Sequence, residues 1–314
     1  MKKTVIVIVG PTASGKSGLG IELAKKTNGV VISADSMQIY KGLDVGTAKV
    51  TEGEAQGIKH ELIDIVDINQ KFSVSEYKEM CYAKIEEVLA SGKTPIIVGG
   101  TGLYINAIVN NMSFEKVDEQ QERQIEDKVQ ELIQGKTSDE LYDLLKSLDE
   151  KAAERIEKGN DKRVIRAIKL CLLGTKKSDI DERNDLWQKN ECKYNFLVVY
   201  IDMPRDLLYD RINKRVDQML DMGVLDEVKF LYNMQDKSIT ACQAIGYKEF
   251  FEYIEGTKTL EKCIELLKQK TRNYAKRQIT WFKKLQDKFI VDGTKTKEEL
   301  IESILREYNE KSKC

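Results

Sequence analysis

An α/β fold, a parallel sheet with helices on both of its faces, is what this sequence predicts, and three observations carry the prediction. Short runs of β-forming apolar residues alternate with amphipathic helical stretches over the first hundred residues. The first run, TVIVIV at 4–9, leads directly into the glycine loop GPTASGKS and from there into a helix. Two further apolar runs, NFLVVYID at 195–202 and KFIVDG at 288–293, return after a long charged interval.

Each element has its own local reason. Residues 4–9 read as a buried strand. Leu19, Leu23 and Ala24 recur at helical spacing behind the loop, so strand, loop and helix arrive in the order that a phosphate-binding loop requires. VVISAD at 30–35 is a second buried strand. FSVSEYKEMCYAKIEEVLASGK at 72–93 is an amphipathic helix, opened by a Ser73–Glu76 capping box and stopped at Gly92. TPIIVGG at 94–100 is the third strand, and the two later runs are the fourth and fifth.

Residues 113–190 break this rhythm with short charged helices and no strand-like run. EQQERQIEDKVQELIQG ends at Gly135, TSDELYDLLKSL opens with a Thr137–Glu140 box, and NDKRVIRAIKLCLLG ends at Gly174. The expected organisation is an α/β core of residues 1–112 and 191–314 with an all-helical insertion at 113–190. Helices follow the fourth strand at 204–220 and over VLDEVKFLYNM, and a long one is expected at 260–287.

Bulk composition excludes several classes. The 314 residues carry a net charge of −1, so any nucleic-acid contact must come from local clustering. One histidine and six cysteines without a C-x-x-C pair offer no zinc site of the usual spacing; the thiols read as reduced and the setting as cytoplasmic. The opening MKKTVIVIVG has too short an apolar run for a signal peptide, and no segment is long enough to cross a bilayer. Nothing demands more than a monomer.

The loop Gly10, Pro11, Thr12, Ala13, Ser14, Gly15, Lys16, Ser17 matches G-x-x-x-x-G-K-[ST], the pattern of P-loop kinase-like sheets. Its backbone N–H groups and the helix N-terminus point at an anion, Lys16 adds a mobile charge, and the Ser17 hydroxyl can bind Mg2+. A diphosphate is therefore expected here. The acid that usually accompanies such a loop on a second strand is missing. TPIIVGG ends in Gly99-Gly100, and Asp64 and Asp67 follow no long buried run. The best-placed acid is Asp35, at the C-terminal end of VVISAD, on the sheet edge where ligands sit. Its competing role is to cap the turn that follows.

Six stretches stand in series with sensible gaps: GPTASGKS, SADSMQIYKGLDVGTAK, GGTGLYINAI, RVDQMLDMGVLDEV, QAIGYKE and AKRQITWF. The set resembles the tRNA dimethylallyltransferases over nearly the whole chain. The eukaryotic relatives add a C-terminal zinc finger, for which this chain has no ligand set, so it is similar to the bacterial form. The resemblance implies transfer of a dimethylallyl group from dimethylallyl diphosphate to N6 of an adenosine beside the tRNA anticodon. The loop would then hold a leaving group, and no ATP would be consumed. By motif position the resemblance makes Asp35 the general base, with Lys16, Thr101, Arg215 and Mg2+ on Ser17 acting on the diphosphate. Arg215 competes with the reading of a solvated helix face, which suits Arg211 better.

For the anticodon stem-loop the resemblance implies Asp35, Ser36, Met37 and Gln38, then Thr101, then Arg123. It also implies Lys162, Arg163, Val164, Ile165 and Arg166 of KRVIR, and Gln243, Ala244, Ile245, Gly246, Tyr247 and Lys248 of QAIGYK. Gln243 stands where some relatives carry arginine. Independently, residues 268–284 hold Lys268, Lys270, Arg272, Lys276, Arg277, Lys283 and Lys284 without an acid. That excess is the footprint of phosphate-backbone contact, with Arg272, Lys276 and Arg277 the chosen contacts. Tyr274, Gln278, Trp281 and Leu285 follow helical spacing and are expected to pack inward. A small-molecule kinase, a prenyltransferase acting on free AMP and a non-catalytic RNA binder remain as competing functions at this level.

Overall fold

The computed structural model describes residues 2–114, 119–183, 190–236 and 239–313. The chain divides into two compact units, Met1–Asn111 with Glu191–Cys314, and Met112–Asn190.

The first unit is built on six parallel strands, β1 (Lys3–Val9), β2 (Gly29–Ser33), β3 (His60–Glu61), β4 (Thr94–Gly99), β5 (Tyr194–Asp202) and β6 (Lys288–Asp292), in the order β3-β2-β4-β1-β5-β6. Val5 to Val9 are all fully buried, as a central parallel strand covered on both faces must be. Helix α1 (Lys16–Thr27) follows β1 and packs Leu19 and Leu23 on Ile6, Ile8, Ile96 and Val98. The same cluster takes Leu300, Ile301 and Ile304 of the C-terminal helix.

After α1 come α2 (Glu52–Ala55), α3 (Val74–Ala90) and α4 (Gly102–Val109). The expected capping box opens α3: Ser73 accepts from the Glu76 N–H, and Glu76 reaches back to the Ser73 N–H. Two findings differ from expectation. The edge strand β3 is only two residues long, pairing His60 with Val31, and so leaves no hydrophobic pattern to read. The fold also ends in a helix, Lys297–Lys311, that lies beyond the last expected element.

The second unit holds α5 (Glu119–Ile133), α6 (Ser138–Leu148), α7 (Glu150–Arg155), α8 (Asp161–Leu172) and α9 (Lys177–Arg183). Leu141, Leu145, Ala152, Ala153, Val164 and Ile168 form its core. Asp149 joins two of its helices by accepting the N–H groups of Ala152 and Ser178.

Back in the first unit, α10 (Arg205–Asp221), α11 (Val224–Asn233), α12 (Ile239–Cys242), α13 (Phe251–Ile254) and α14 (Leu260–Lys283) precede the terminal helix α15 (Lys297–Lys311). The long helix stops at Lys283, four residues early, and Asp287 takes a left-handed φ of 50° before β6. A second core joins Val216, Val224, Val228, Tyr247 and Leu267 to Ile39, Tyr40 and Leu43 of the segment after β2. That segment, 35–49, is thereby fixed beside the carboxyl edge of the sheet.

Candidate active site

The chain leaves β1 toward β2 on one side, and β5 lies on the other, so the carboxyl end of β1 is the crevice where an open α/β sheet takes its ligand. The loop there has a left-handed Ala13 (φ 63°) and Gly15 (φ 89°), the alternation that turns successive N–H groups toward one anion. The Ser14 hydroxyl is buried in the loop and has no hydrogen-bond partner among the described residues. Lys16 donates to the Pro11 carbonyl at 2.6 Å, which folds its ammonium back over the loop.

Two cations meet here without a carboxylate bound to either. The Lys16 amine is pushed down to about 7, chiefly by burial, then by the Arg215 guanidinium, with Asp35 opposing. Arg215, half-buried on α10, is likewise lowered by burial, and Asp35 and Glu54 oppose the shift. Among the described residues neither cation makes an ion pair. Arg211, one turn earlier, is exposed. A pair of mutually repelling cations beside an unsatisfied hydroxyl at a helix N-terminus is a site for a polyanion.

Asp35 stands just past β2. Its Oδ1 accepts the N–H of Met37 at 2.9 Å and of Gln38 at 3.4 Å, so the turn-capping role is present. Its Oδ2 makes no hydrogen bond among the described residues. The capping role and a proton-accepting role therefore fall on different oxygens of one carboxylate. Thr101, following β4, ties this segment to the next strand. Its N–H donates to the Ala34 carbonyl at 3.2 Å, its Oγ1 accepts the Ser36 N–H at 2.9 Å, and its hydroxyl lies 3.2 Å from Ser36 Oγ.

The glycines of GGTG are dictated by this crowding. A Cβ on Gly99 would stand 2.2 Å from the Ala34 carbonyl oxygen, and one on Gly102 would stand 2.5 Å from the Trp281 ring. Helix α14 closes the crevice with Gln278, whose Oε1 accepts the Thr12 N–H at 2.8 Å and whose Nε2 donates to the Gly100 carbonyl at 2.9 Å. Helical spacing alone places Gln278 in the core; the signal that it does more is a polar residue on an apolar stripe.

Asp64 and Asp67, the other acids weighed for a metal, are engaged elsewhere: Asp64 pairs with Lys49, and Asp67 with Lys41 at 2.9 Å. Among the described residues no cluster of three acidic, histidine or cysteine side chains could hold a metal by itself. The donor set still fits Mg2+, which keeps most of its waters and takes one protein ligand plus phosphate oxygens. The exposed Ser17 hydroxyl in the first turn of α1 is the side chain that could supply that ligand.

The expected RNA-contact residues divide by burial. Lys162, Arg163 and Arg166 are exposed on α8, while Val164 is fully buried in the helical unit's own core and Ile165 is half-buried. Gln243 and Lys248 are exposed and Ile245 half-buried, whereas Ala244, Gly246 and Tyr247 are buried. These buried residues correct the expectation that the motif faces RNA throughout: the Tyr247 hydroxyl donates to Glu227 at 2.8 Å, and a Cβ on Gly246 would stand 2.9 Å from the Gly46 carbonyl oxygen. Glu227 also accepts the N–H groups of Asp44, Val45 and Gly46, a clamp that sequence reasoning misses. Ser36 and Met37 are half-buried. Gln38 is committed internally, accepting from Ser33 and donating to the carbonyls of Thr47 and Ala48. On α14, Lys276 and Arg277 are exposed; Arg272 donates to Asn213 at 2.7 Å and Lys268 pairs with Asp217 at 2.7 Å. The Arg123 side chain lies outside the described residues.

The model of the family described as IPP transferase matches residues 38–285. The tRNA dimethylallyltransferase of Acetivibrio thermocellus is 47% identical over 92% of this chain and 91% of its own length. That of Finegoldia magna is 44% identical over 92% and 90%. The solved tRNA delta(2)-isopentenylpyrophosphate transferase of Staphylococcus epidermidis is 41% identical, with a TM-score of 0.72 over 99% of this chain and 100% of that one. A solved eukaryotic dimethylallyltransferase acting on tRNA is 32% identical, with a TM-score of 0.77 over 93% of this chain and 74% of that one.

Proposed function

This chain belongs to the IPP transferase family, and from that premise we propose how its residues carry out the transfer of a dimethylallyl group to tRNA. The donor is dimethylallyl diphosphate and the acceptor is N6 of the adenosine beside the anticodon. The observation that carries the reading is the meeting of Lys16 and Arg215, neither ion-paired among the described residues, with Asp35, whose Oδ2 makes no hydrogen bond among them.

The N6 lone pair attacks the allylic C1 as the C1–O bond breaks, and the electron pair leaves with the diphosphate. The growing negative charge falls on Lys16, Arg215, the N–H groups of the loop other than those of Thr12 and Ser14, and the Ser14 hydroxyl. Ser17 would hold Mg2+, which would supply further charge neutralisation to the leaving group. The N6 proton goes to Asp35 Oδ2, an assistance worth roughly 10²–10⁴-fold. Thr101 keeps the Asp35–Ser36 turn against β4 through its bonds to Ala34 and Ser36. An adenine must leave its stack to reach this depth, so the base is flipped. The anticodon stem-loop is met by the exposed cations Lys162, Arg163, Arg166, Lys248, Lys276 and Arg277, by Arg123, and by the turn 35–38.

We place the reaction in the cytoplasm and in a monomer; the described cysteines Cys81, Cys171, Cys192, Cys242 and Cys263 are all free thiols. No described helix is long and apolar enough to cross a membrane. The test is incubation with dimethylallyl diphosphate labelled in the allyl group, Mg2+ and unmodified tRNA. Label is expected at the adenosine of the tRNA with release of diphosphate. Label entering AMP and not tRNA, or loss of ATP without prenylation, would overturn the reading.

A further inference from the structure

We propose that Gln278 is a positioning residue for the transfer, setting the separation between the diphosphate loop and the turn that carries the base; this rests on the reading above. Gln278 is 5% exposed on α14. Each end of its amide is bonded to a backbone group, Oε1 accepting the Thr12 N–H at 2.8 Å and Nε2 donating to the Gly100 carbonyl at 2.9 Å. Neither belongs to a helix or strand ladder. One is in the phosphate loop; the other immediately precedes Thr101, which holds Ala34 and Ser36 on either side of Asp35.

A buried side-chain amide in a helix is costly unless both its groups are bonded, and a leucine or methionine would fill the space more cheaply. What the amide adds is a fixed span between the two loops beyond the point where the β1–β4 pairing ends, at Val9 and Gly99. The room for it is made by Gly100: a Cβ there would stand 2.3 Å from Gln278 Nε2. The span matters because leaving group and base act on opposite sides of one reacting centre. A shift of about 1 Å in such a geometry is worth roughly 10²-fold in rate.

The experiment compares full-length wild type with Gln278→Met, Gln278→Ala, Gly100→Ala and the double variant Gly100→Ala/Gln278→Ala. Melting temperature, tRNA binding, KM and kcat are measured for each. Gln278→Met is expected to bind tRNA within about 3-fold of wild type while kcat falls roughly 10²-fold. Gly100→Ala drives its Cβ into the amide, and removing that amide relieves the clash, so the double variant is expected to lose less than the product of the two single losses. A variant that fails to fold is replaced in the comparison by Gln278→Glu, which keeps the acceptor for Thr12 and loses the donor to Gly100, and whose kcat is expected to fall with tRNA binding retained. Wild-type kcat in Gln278→Met, or effects of Gly100→Ala and Gln278→Ala that simply multiply, would overturn the proposal. Absence of transfer by the wild type would instead overturn the function on which it rests.

Discussion

The Lys16→Arg substitution isolates a proton that the diphosphate should draw into the site. Lys16 is held at about 7, down from 10.5, because burial and the neighbouring Arg215 disfavour its charge. A diphosphate arriving in the loop reverses that balance and restores the ammonium. At pH 7 about half of the lysines are neutral beforehand, at pH 8 about 0.9 and at pH 6 about 0.1, so binding takes up about those fractions of a proton. The guanidinium of the variant stays charged throughout and takes up none. Titration calorimetry with Mg2+ and inorganic pyrophosphate, in buffers of different ionisation enthalpy, measures proton uptake for both proteins, and their difference cancels the ligand's own ionisation. The expected difference rises from about 0.1 at pH 6 to about 0.9 at pH 8. Equal uptake by the two proteins at pH 8 would mean that Lys16 is already charged before the diphosphate arrives. The same shift has a stability consequence. Between about 7 and 10.5 the unfolded chain binds more protons at Lys16 than the folded one, so the ligand-free protein gains stability as pH rises through that window.

Two further outcomes follow from the same geometry. Arg215→Met should lower kcat by roughly 10²–10³-fold, since a preorganised charge on the leaving group is lost, and should raise the Lys16 pKa, shrinking the proton uptake at pH 8. Glu227→Ala leaves three backbone donors and the Tyr247 hydroxyl without their acceptor, so urea unfolding should show a loss of about 2–3 kcal/mol, with KM for tRNA rising as segment 35–49 loosens.

What the sequence could reveal divides by the range of the interaction. The strands β1, β2, β4, β5 and β6 are continuous apolar runs, and the Ser73–Glu76 and Thr137–Glu140 boxes close within one helical turn, so each is encoded where it forms. The phosphate loop is equally local. Gln278 meets Thr12 across 266 residues and Glu227 meets Val45 across 182, and no neighbouring pattern announces either contact. Motif position likewise could not say which side of QAIGYK faces out. Tyr247, one of the QAIGYK residues expected at the RNA, is buried against Gly46, where a Cβ would stand 2.5 Å from its ring. Asp35 is visible as an acid at a strand end, but its division of labour between two oxygens is a fact of the fold.

In the transfer a proton leaves the adenine amine for Asp35 while the P-loop takes the diphosphate. Asp35→Asn separates the two roles of this side chain, because the asparagine Oδ1 still caps the Met37 and Gln38 N–H groups while the proton acceptor is gone. Single-turnover transfer from labelled dimethylallyl diphosphate within a preformed enzyme–tRNA complex should slow by roughly 10²–10⁴-fold, with tRNA affinity unchanged. Transfer at the wild-type rate in that complex would contradict the account.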